Sequence, residues 1–145
     1  DDRVAMCELV ARALGPRARV SRAEETLAQR PGFVASRTLD LIEHLAAEAP
    51  RSLRLVIGGD ILGETAKWYR WNDVVVQAPL IVIGRAGHPL PAGSSATGIV
   101  MPEVSATRIR ELLAAGAEEA VLGQLLPRDV LRYIADRSLY RNATP

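Results

Sequence analysis

The sequence predicts an α/β fold, a parallel sheet flanked by helices, and three observations predict it. Short apolar runs alternate with helical patterns along the 145 residues, the order that right-handed crossovers convert into parallel strands. Two of those runs, Leu53-Arg54-Leu55-Val56-Ile57 and Leu80-Ile81-Val82-Ile83, are nearly continuous, the pattern of strands buried on both faces. The first ends in Gly58-Gly59-Asp60, which puts glycine and a carboxylate at the carboxyl edge where open α/β sheets bind ligands.

Met6, Leu9, Val10 and Leu14 recur at helical spacing, and Gly15-Pro16 stops that helix. Cys7 lies on it and is expected as a buried small hydrophobe rather than a reactive thiol. Arg19-Val20 is a short strand. Ser36 caps a long helix with Leu39, Ile42, Leu45 and Ala46 inward, stopped near Pro50. Residues 60–66 and 71–76 read as short helices, and 86–97 as a Gly/Pro/Ser-rich loop. Ile99-Val100 follows, then a helix opened by Ser105, then a last helix with Pro127 at its first position. No repeat or linker divides the chain, so residues 1–145 are expected to form a single domain.

Composition narrows the class. A hydrophobic share of 48% against 24% charged residues is that of a globular chain. A net charge of +1 with scattered basic residues argues against a nucleic-acid partner. The apolar runs are too short to cross a membrane, and Asp1-Asp2-Arg3 opens no signal peptide. With one cysteine no internal disulfide can form, and the cytoplasm is the expected compartment.

The stretch Val104-Ser105-Ala106-Thr107-Arg108-Ile109-Arg110 carries the most chemistry. Ser105 at a helix N-cap sets two hydroxyls, its own and that of Thr107, beside unpaired backbone N–H groups. Arg108 and Arg110 put cations where the helix dipole disfavours them, by roughly 0.3–1 kcal/mol each. A bound polyanion removes that conflict and makes the helix end a phosphate site; an ordinary capped helix with two solvated arginines accounts for the same residues. At the strand end, glycine admits a ligand close to the backbone. There Asp60 could accept hydrogen bonds from both hydroxyls of a ribose, or simply cap the next helix. Trp68, Tyr69 and Trp71 form a stacking platform for a flat ring, with core packing the alternative, preferred for Trp71. Arg85, leaving the second strand at the same edge, suits a phosphate or a carboxylate as well as it suits solvent. Gly58-Gly59-Asp60-Ile61-Leu62-Gly63 is not G-x-G-x-x-G, so a hydride-transfer site is not supported. Neither a nucleophile–base pair nor a Cys/His metal constellation is evident.

Several segments together resemble one family. Val104-Ser-Ala-Thr-x-Ile-Arg110 is similar to the ISxTxxR signature of nucleotidylyltransferases. Val56-Ile57-Gly58-Gly59-Asp60 followed by Lys67-Trp68-Tyr69 resembles the GxD…W segment of bacterial nicotinate-nucleotide adenylyltransferase. Leu126-Pro127-Arg128-Asp129-Val130-Leu131-Arg132-Tyr133-Ile134 with Leu139-Tyr140 resembles that family's LPxxVxxYI…LY ending, and Ile81-Val82-Ile83-Gly84-Arg85-Ala86-Gly87 sits where the family has a strand ending in Arg and Gly. The resemblance runs from the Met6 helix to Tyr140. It implies a Rossmann-like sheet of nucleotidylyltransferase type and adenylyl transfer from ATP to nicotinate mononucleotide, a step of NAD biosynthesis.

By the same resemblance Ser105, Thr107 and Arg110 would grip the ATP phosphates, Arg110 as the catalytic cation. Gly58 and Asp60 would hold the adenosine ribose. Trp68, Tyr69 and Arg85 would face the pyridine nucleotide, and Mg2+ would be held mainly by the phosphates. The family often has Tyr-Thr where this chain has Val34-Ala35-Ser36-Arg37. Ser36 and Arg37 could supply replacement contacts, the arginine suiting a carboxylate. The family's HxGH does not occur; His44 lies mid-helix, His88 lies in the 86–97 loop, and neither substitutes by spacing. The chain is therefore expected to lack the family's first βα unit, and by itself to be inactive and prone to aggregate. A degenerate homologue acting as a non-catalytic nucleotide-binding module is the alternative. So is an adenylyltransferase for nicotinamide mononucleotide or a pantetheine phosphate. Small nucleotides are the expected partners, and a homo-oligomer is left open.

Overall fold

The computed structural model of this chain describes residues 2–86, 99–102 and 104–141, with Arg85 described by its backbone alone. Beyond Ala86, the expected 86–97 loop and its His88 lie outside the described residues. In order the elements are α1 (Asp2–Leu14), α2 (Ala23–Ala28), α3 (Thr38–Glu48), β1 (Leu55–Gly58), a 3-10 helix (Gly59–Lys67), α4 (Trp71–Gln77), β2 (Leu80–Arg85), β3 (Val100–Met101), α5 (Ala106–Ala114), α6 (Glu119–Leu122) and α7 (Arg128–Asp136). They fall into two compact units, one from Ser21 to Glu103 and one made of the residues up to Val20 with those from Val104 onward.

The Ser21–Glu103 unit holds the sheet, parallel throughout, in the order β1-β2-β3. Leu55 pairs with Leu80 and Ile57 with Val82 on one face, Val56 with Ile81 on the other. The first face is the core side. Ile57 and Val82 are buried, and Leu55 packs with Leu53 and Trp71 onto Leu39 and Ile42 of α3, Val74 of α4 and Ala78 just after it. The expectation of strands buried on both faces is corrected: Val56 is 55% and Ile81 36% exposed. Successive side chains point to opposite faces, and α3 and α4 cover only one of them. Gly84 leaves room where β3 approaches; a Cβ there would stand 3.2 Å from the Ile99 carbonyl oxygen, a tight contact.

Three local expectations also change. Arg19-Val20 is not a strand; neither residue joins a ladder among the described residues. Ser36 does not cap α3: the N-cap is Arg37, with no side-chain capping bond, and the Ser36 hydroxyl donates instead to Glu24. On α3, Leu39 and Ile42 are buried, whereas Ala46 is exposed.

In the other unit, α1 ends at Gly15, whose φ of +95° only glycine adopts readily. Tyr133 of α7 and Arg137, just after it, both reach Asp2, at 2.8 and 2.9 Å. Met6 and Val10 look into a cavity of about 370 Å3 with Ile109, Val130 and Ile134. Cys7, which also lines this cavity, and Leu14 are both exposed, contrary to expectation. α5 closes in a Schellman motif: Gly116 at φ +69° donates to Leu113 and Ala117 donates to Leu112. Pro127 is the N-cap of α7 rather than its first helical residue, and Val130, Leu131 and Ile134 are its buried stripe. Among the described residues no helix is long and apolar enough to cross a membrane.

Candidate functional site

The carboxyl ends of β1 and β2 lie at one edge because the strands are parallel. At the end of β1 the backbone turns directly into the 3-10 helix, with Gly58 as its N-cap and Gly59 buried. The half-buried Asp60 folds its carboxylate back over Gly58, where a Cβ would overlap Asp60 Oδ1. A glycine at 58 is thus the condition for this carboxylate orientation. Asp60 also sits in the first turn of the helix, where a negative charge is favoured.

The 3-10 helix closes with the Trp68 amide donating to Thr65, and Trp68 itself is extended. The chain then reverses at Arg70, a non-glycine residue at φ +49°. That conformation costs roughly 1–2 kcal/mol. It is held by the Arg70 guanidinium, whose Nε lies 2.6 Å from Asp73 Oδ2. The same hydrogen bond and the Asp73 charge raise the Arg70 pKa above its ordinary value. The reversal separates the aromatic residues by role. Trp71 joins the core cluster, and Trp68 meets it edge-on with ring centroids 5.4 Å apart. Tyr69 is left 47% exposed, and the Arg37 guanidinium lies 4.1 Å above its ring. A cation over an aromatic face is attracted by the ring quadrupole, and its N–H groups remain able to meet a carboxylate.

Of the residues expected to hold a pyridine nucleotide, Arg37 and Tyr69 are therefore in contact, and Trp68 precedes Tyr69 in the same turn. The Ser36 hydroxyl is engaged by Glu24, 2.8 Å from its Oε1. The Arg85 backbone ends β2 opposite Met101; its side chain lies outside the described residues. Sequence reasoning missed the groups that hold this region: Glu24, the αL turn at Arg70, and the contact of Arg30 with His44 at 2.8 Å. Only the Arg70–Asp73 spacing of three was a readable signal.

Ser105, Thr107 and Arg110 stand together in the other unit, at the start of α5. Ser105 is the N-cap as expected, its Oγ accepting from the Arg108 amide at 3.4 Å. Thr107 and Arg110 are exposed. The two arginines differ. Arg108 Nη1 lies 3.5 Å from Glu111 Oε2, whereas Arg110 has no ion-pair partner among the described residues. Among those residues no cluster of His, Cys, Asp and Glu could hold a metal ion. Two residue sets result. One, in the Ser21–Glu103 unit, offers a carboxylate, an exposed aromatic face and a cation; the other, at the start of α5, offers hydroxyls, helix N–H groups and a cation.

No family model matches the chain. Curated relatives do. A probable nicotinate-nucleotide adenylyltransferase of Anaeromyxobacter dehalogenans is 46% identical over 142 residues, covering 97% of this chain and 71% of the relative. The protein so described in Myxococcus xanthus is 32% identical, covering 97% of this chain and 68% of its own length. Among solved structures, Plasmodium falciparum nicotinic acid mononucleotide adenylyltransferase superposes with a TM-score of 0.60 at 15% identity, over 77% of this chain. This chain spans 61% of that protein's length, and the likeness is one of fold. On the relatives' identity and coverage, the chain belongs to the nicotinate-nucleotide adenylyltransferase family.

Proposed function

We propose that the enzyme carrying this chain transfers the adenylyl group of ATP to nicotinate mononucleotide, giving nicotinate adenine dinucleotide and pyrophosphate in NAD biosynthesis. One observation carries the reading: the 46% identity to a relative of that description spans 142 residues, too long a stretch to miss any of Gly58–Asp60, Trp68–Tyr69 and Ser105–Arg110. A phosphate oxygen of the mononucleotide attacks the α-phosphorus of ATP. One P–O bond forms, the bond to the bridging oxygen breaks, and pyrophosphate leaves with its electron pair. No covalent enzyme intermediate is required, so the protein's part is positioning and stabilisation of charge.

Ser105 and Thr107 bind phosphate oxygens at the start of α5, and Arg110 is the catalytic residue that meets the charge gathering on the pyrophosphate. Gly58 and Asp60 take the adenosine ribose. Trp68 and Tyr69 hold the pyridine ring, Arg37 takes its carboxylate and Arg85 completes the acceptor site, while the Ser36 hydroxyl stays on Glu24. Mg2+ would be held mainly by the ATP phosphates, where it would neutralise their charge. The reaction belongs in the cytoplasm, where a lone thiol stays reduced, and its partners are small nucleotides rather than nucleic acid.

The test is release of pyrophosphate by the enzyme with ATP and either nicotinate or nicotinamide mononucleotide. The expected result is a higher kcat/KM for the nicotinate form. A preference for the amide would overturn the acceptor assignment.

A further inference from the structure

Arg37 comes from a segment that has little else to fix it. Between α2 and α3 the chain turns at Pro31-Gly32, where Gly32 has φ +79°, and residues 31–37 are all exposed. No strand ladder runs through them. Side chains tie the segment down at both ends. At its start, Arg30 Nη2 lies 2.8 Å from His44 Nδ1 on α3. A guanidinium can only donate, so His44 accepts at Nδ1 and keeps its proton on Nε2, which lies 3.6 Å from Glu48 Oε1. The His44 side chain is only 11% exposed, which makes it a firm anchor. At the segment's other end Ser36, next to Arg37, donates to Glu24 on α2 at 2.8 Å. Arg30, Ser36, Arg37 and His44 line one cavity of about 380 Å3.

We propose that His44 and Glu24 are positioning residues for acceptor recognition, holding the α2–α3 segment so that Arg37 stays over Tyr69 and meets the acceptor's carboxylate. The proposal rests on the acceptor site described above. The tethers act on one substrate only. Losing either frees the Arg37 segment without touching the ATP phosphates or the reacting atoms, so the acceptor's KM changes while kcat does not.

The experiment compares the enzyme with its His44→Leu, His44→Gln and Glu24→Ala variants, each also in an Arg37→Ala background. KM for nicotinate mononucleotide, KM for ATP and kcat are measured for all of them. His44→Leu removes the acceptor for Arg30, and Glu24→Ala removes that for Ser36. Each is expected to raise the KM for nicotinate mononucleotide about 3- to 10-fold, the worth of one hydrogen bond. KM for ATP and kcat stay unchanged. His44→Gln keeps a side-chain oxygen for Arg30 and restores most of the affinity. With Arg37→Ala the tether variants add nothing further, because the group they position is gone. Equal rises in both KM values, failure of glutamine to restore affinity, or full additivity with Arg37→Ala would overturn the proposal. Glu24 is exposed, so its variant remains informative even if His44→Leu unfolds. An active wild-type enzyme with unaltered KM in the tether variants overturns the positioning role alone. A wild-type enzyme inactive on nicotinate mononucleotide overturns the functional reading, and this proposal with it.

Discussion

Gly58→Ala adds one methyl group at the point where the structure leaves room for none. The new Cβ would clash with Asp60 Oδ1. Gly58 itself has φ −73° and ψ 148°, a backbone that alanine adopts freely, so the substitution strains no dihedral. The atom it meets is the far end of a rotatable side chain. The carboxylate therefore swings away and the fold survives; the stability change should stay within about 1 kcal/mol. The functional change is larger. If Asp60 accepts from the ribose hydroxyls, displacing it removes hydrogen bonds to a charged group, worth roughly 1.5–3 kcal/mol, or about 10- to 150-fold in affinity. The expected outcome is a KM for ATP raised by that factor with a nearly unchanged Tm. Asp60→Ala should give a similar rise, and the double variant little more than either, since both remove the same contact. An unchanged KM for ATP in Gly58→Ala, with the fold intact, would refute the ribose assignment. Additive effects would show that glycine and aspartate act separately.

Two further outcomes follow from the other unit. Arg110→Ala should lower turnover roughly 30- to 1000-fold, the loss of a charge-assisted contact that tightens in the transition state, with little change in Tm. Arg108→Ala loses only an exposed pair with Glu111, worth about 0–1 kcal/mol, and should leave turnover intact; the reverse ranking would remove α5 from the phosphate site. The Tyr133 hydroxyl donates to Asp2, and that hydrogen bond, followed by desolvation, raises the tyrosine's pKa above its ordinary value. A raised folded-state pKa stabilises the fold below the unfolded value of about 10 and is lost as pH climbs through the folded one. Tyr133→Phe should accordingly lower Tm at pH 8, and the gap to wild type should close in alkali; a gap independent of pH would show that Asp2 does not hold this proton.

What the sequence made legible is what local pattern controls. The strands at Leu55–Gly58 and Leu80–Arg85 follow from apolar runs, and the Ser105 cap follows from a hydroxyl residue before a periodic helix. Two-sided burial of the strands did not follow. A run such as Leu-Val-Ile has the same letters whether helices cover one face or both, and here Ile57 is covered while its neighbour Val56 is not. The strand expected at Arg19-Val20 failed for a related reason, since so short a run becomes a strand only when a neighbour completes its ladder.

The acceptor side shows most clearly where local reading stops. Ser36 carries the right side chain to cap a helix, and by its neighbours alone it would. Its hydroxyl instead meets a carboxylate twelve residues upstream, and α3 starts at Thr38 from the unassisted backbone of Arg37. Arg30 and His44 are fourteen residues apart and share no motif. Arg37 and Tyr69 are brought together only by the complete unit. Exposed hydrogen bonds of this kind contribute about 0.5–1.5 kcal/mol each, too little to leave a periodic trace in a sequence, because they do not decide whether the chain folds. They do decide where one guanidinium rests. Each such contact is worth about 3- to 10-fold in acceptor affinity, so side chains that weigh almost nothing in stability can carry part of the discrimination between a carboxylate and an amide. In this chain the residues that build the α/β unit and those that tune its acceptor site are therefore largely different sets. The first is written in hydrophobic pattern, and the second in contacts that exist only after folding.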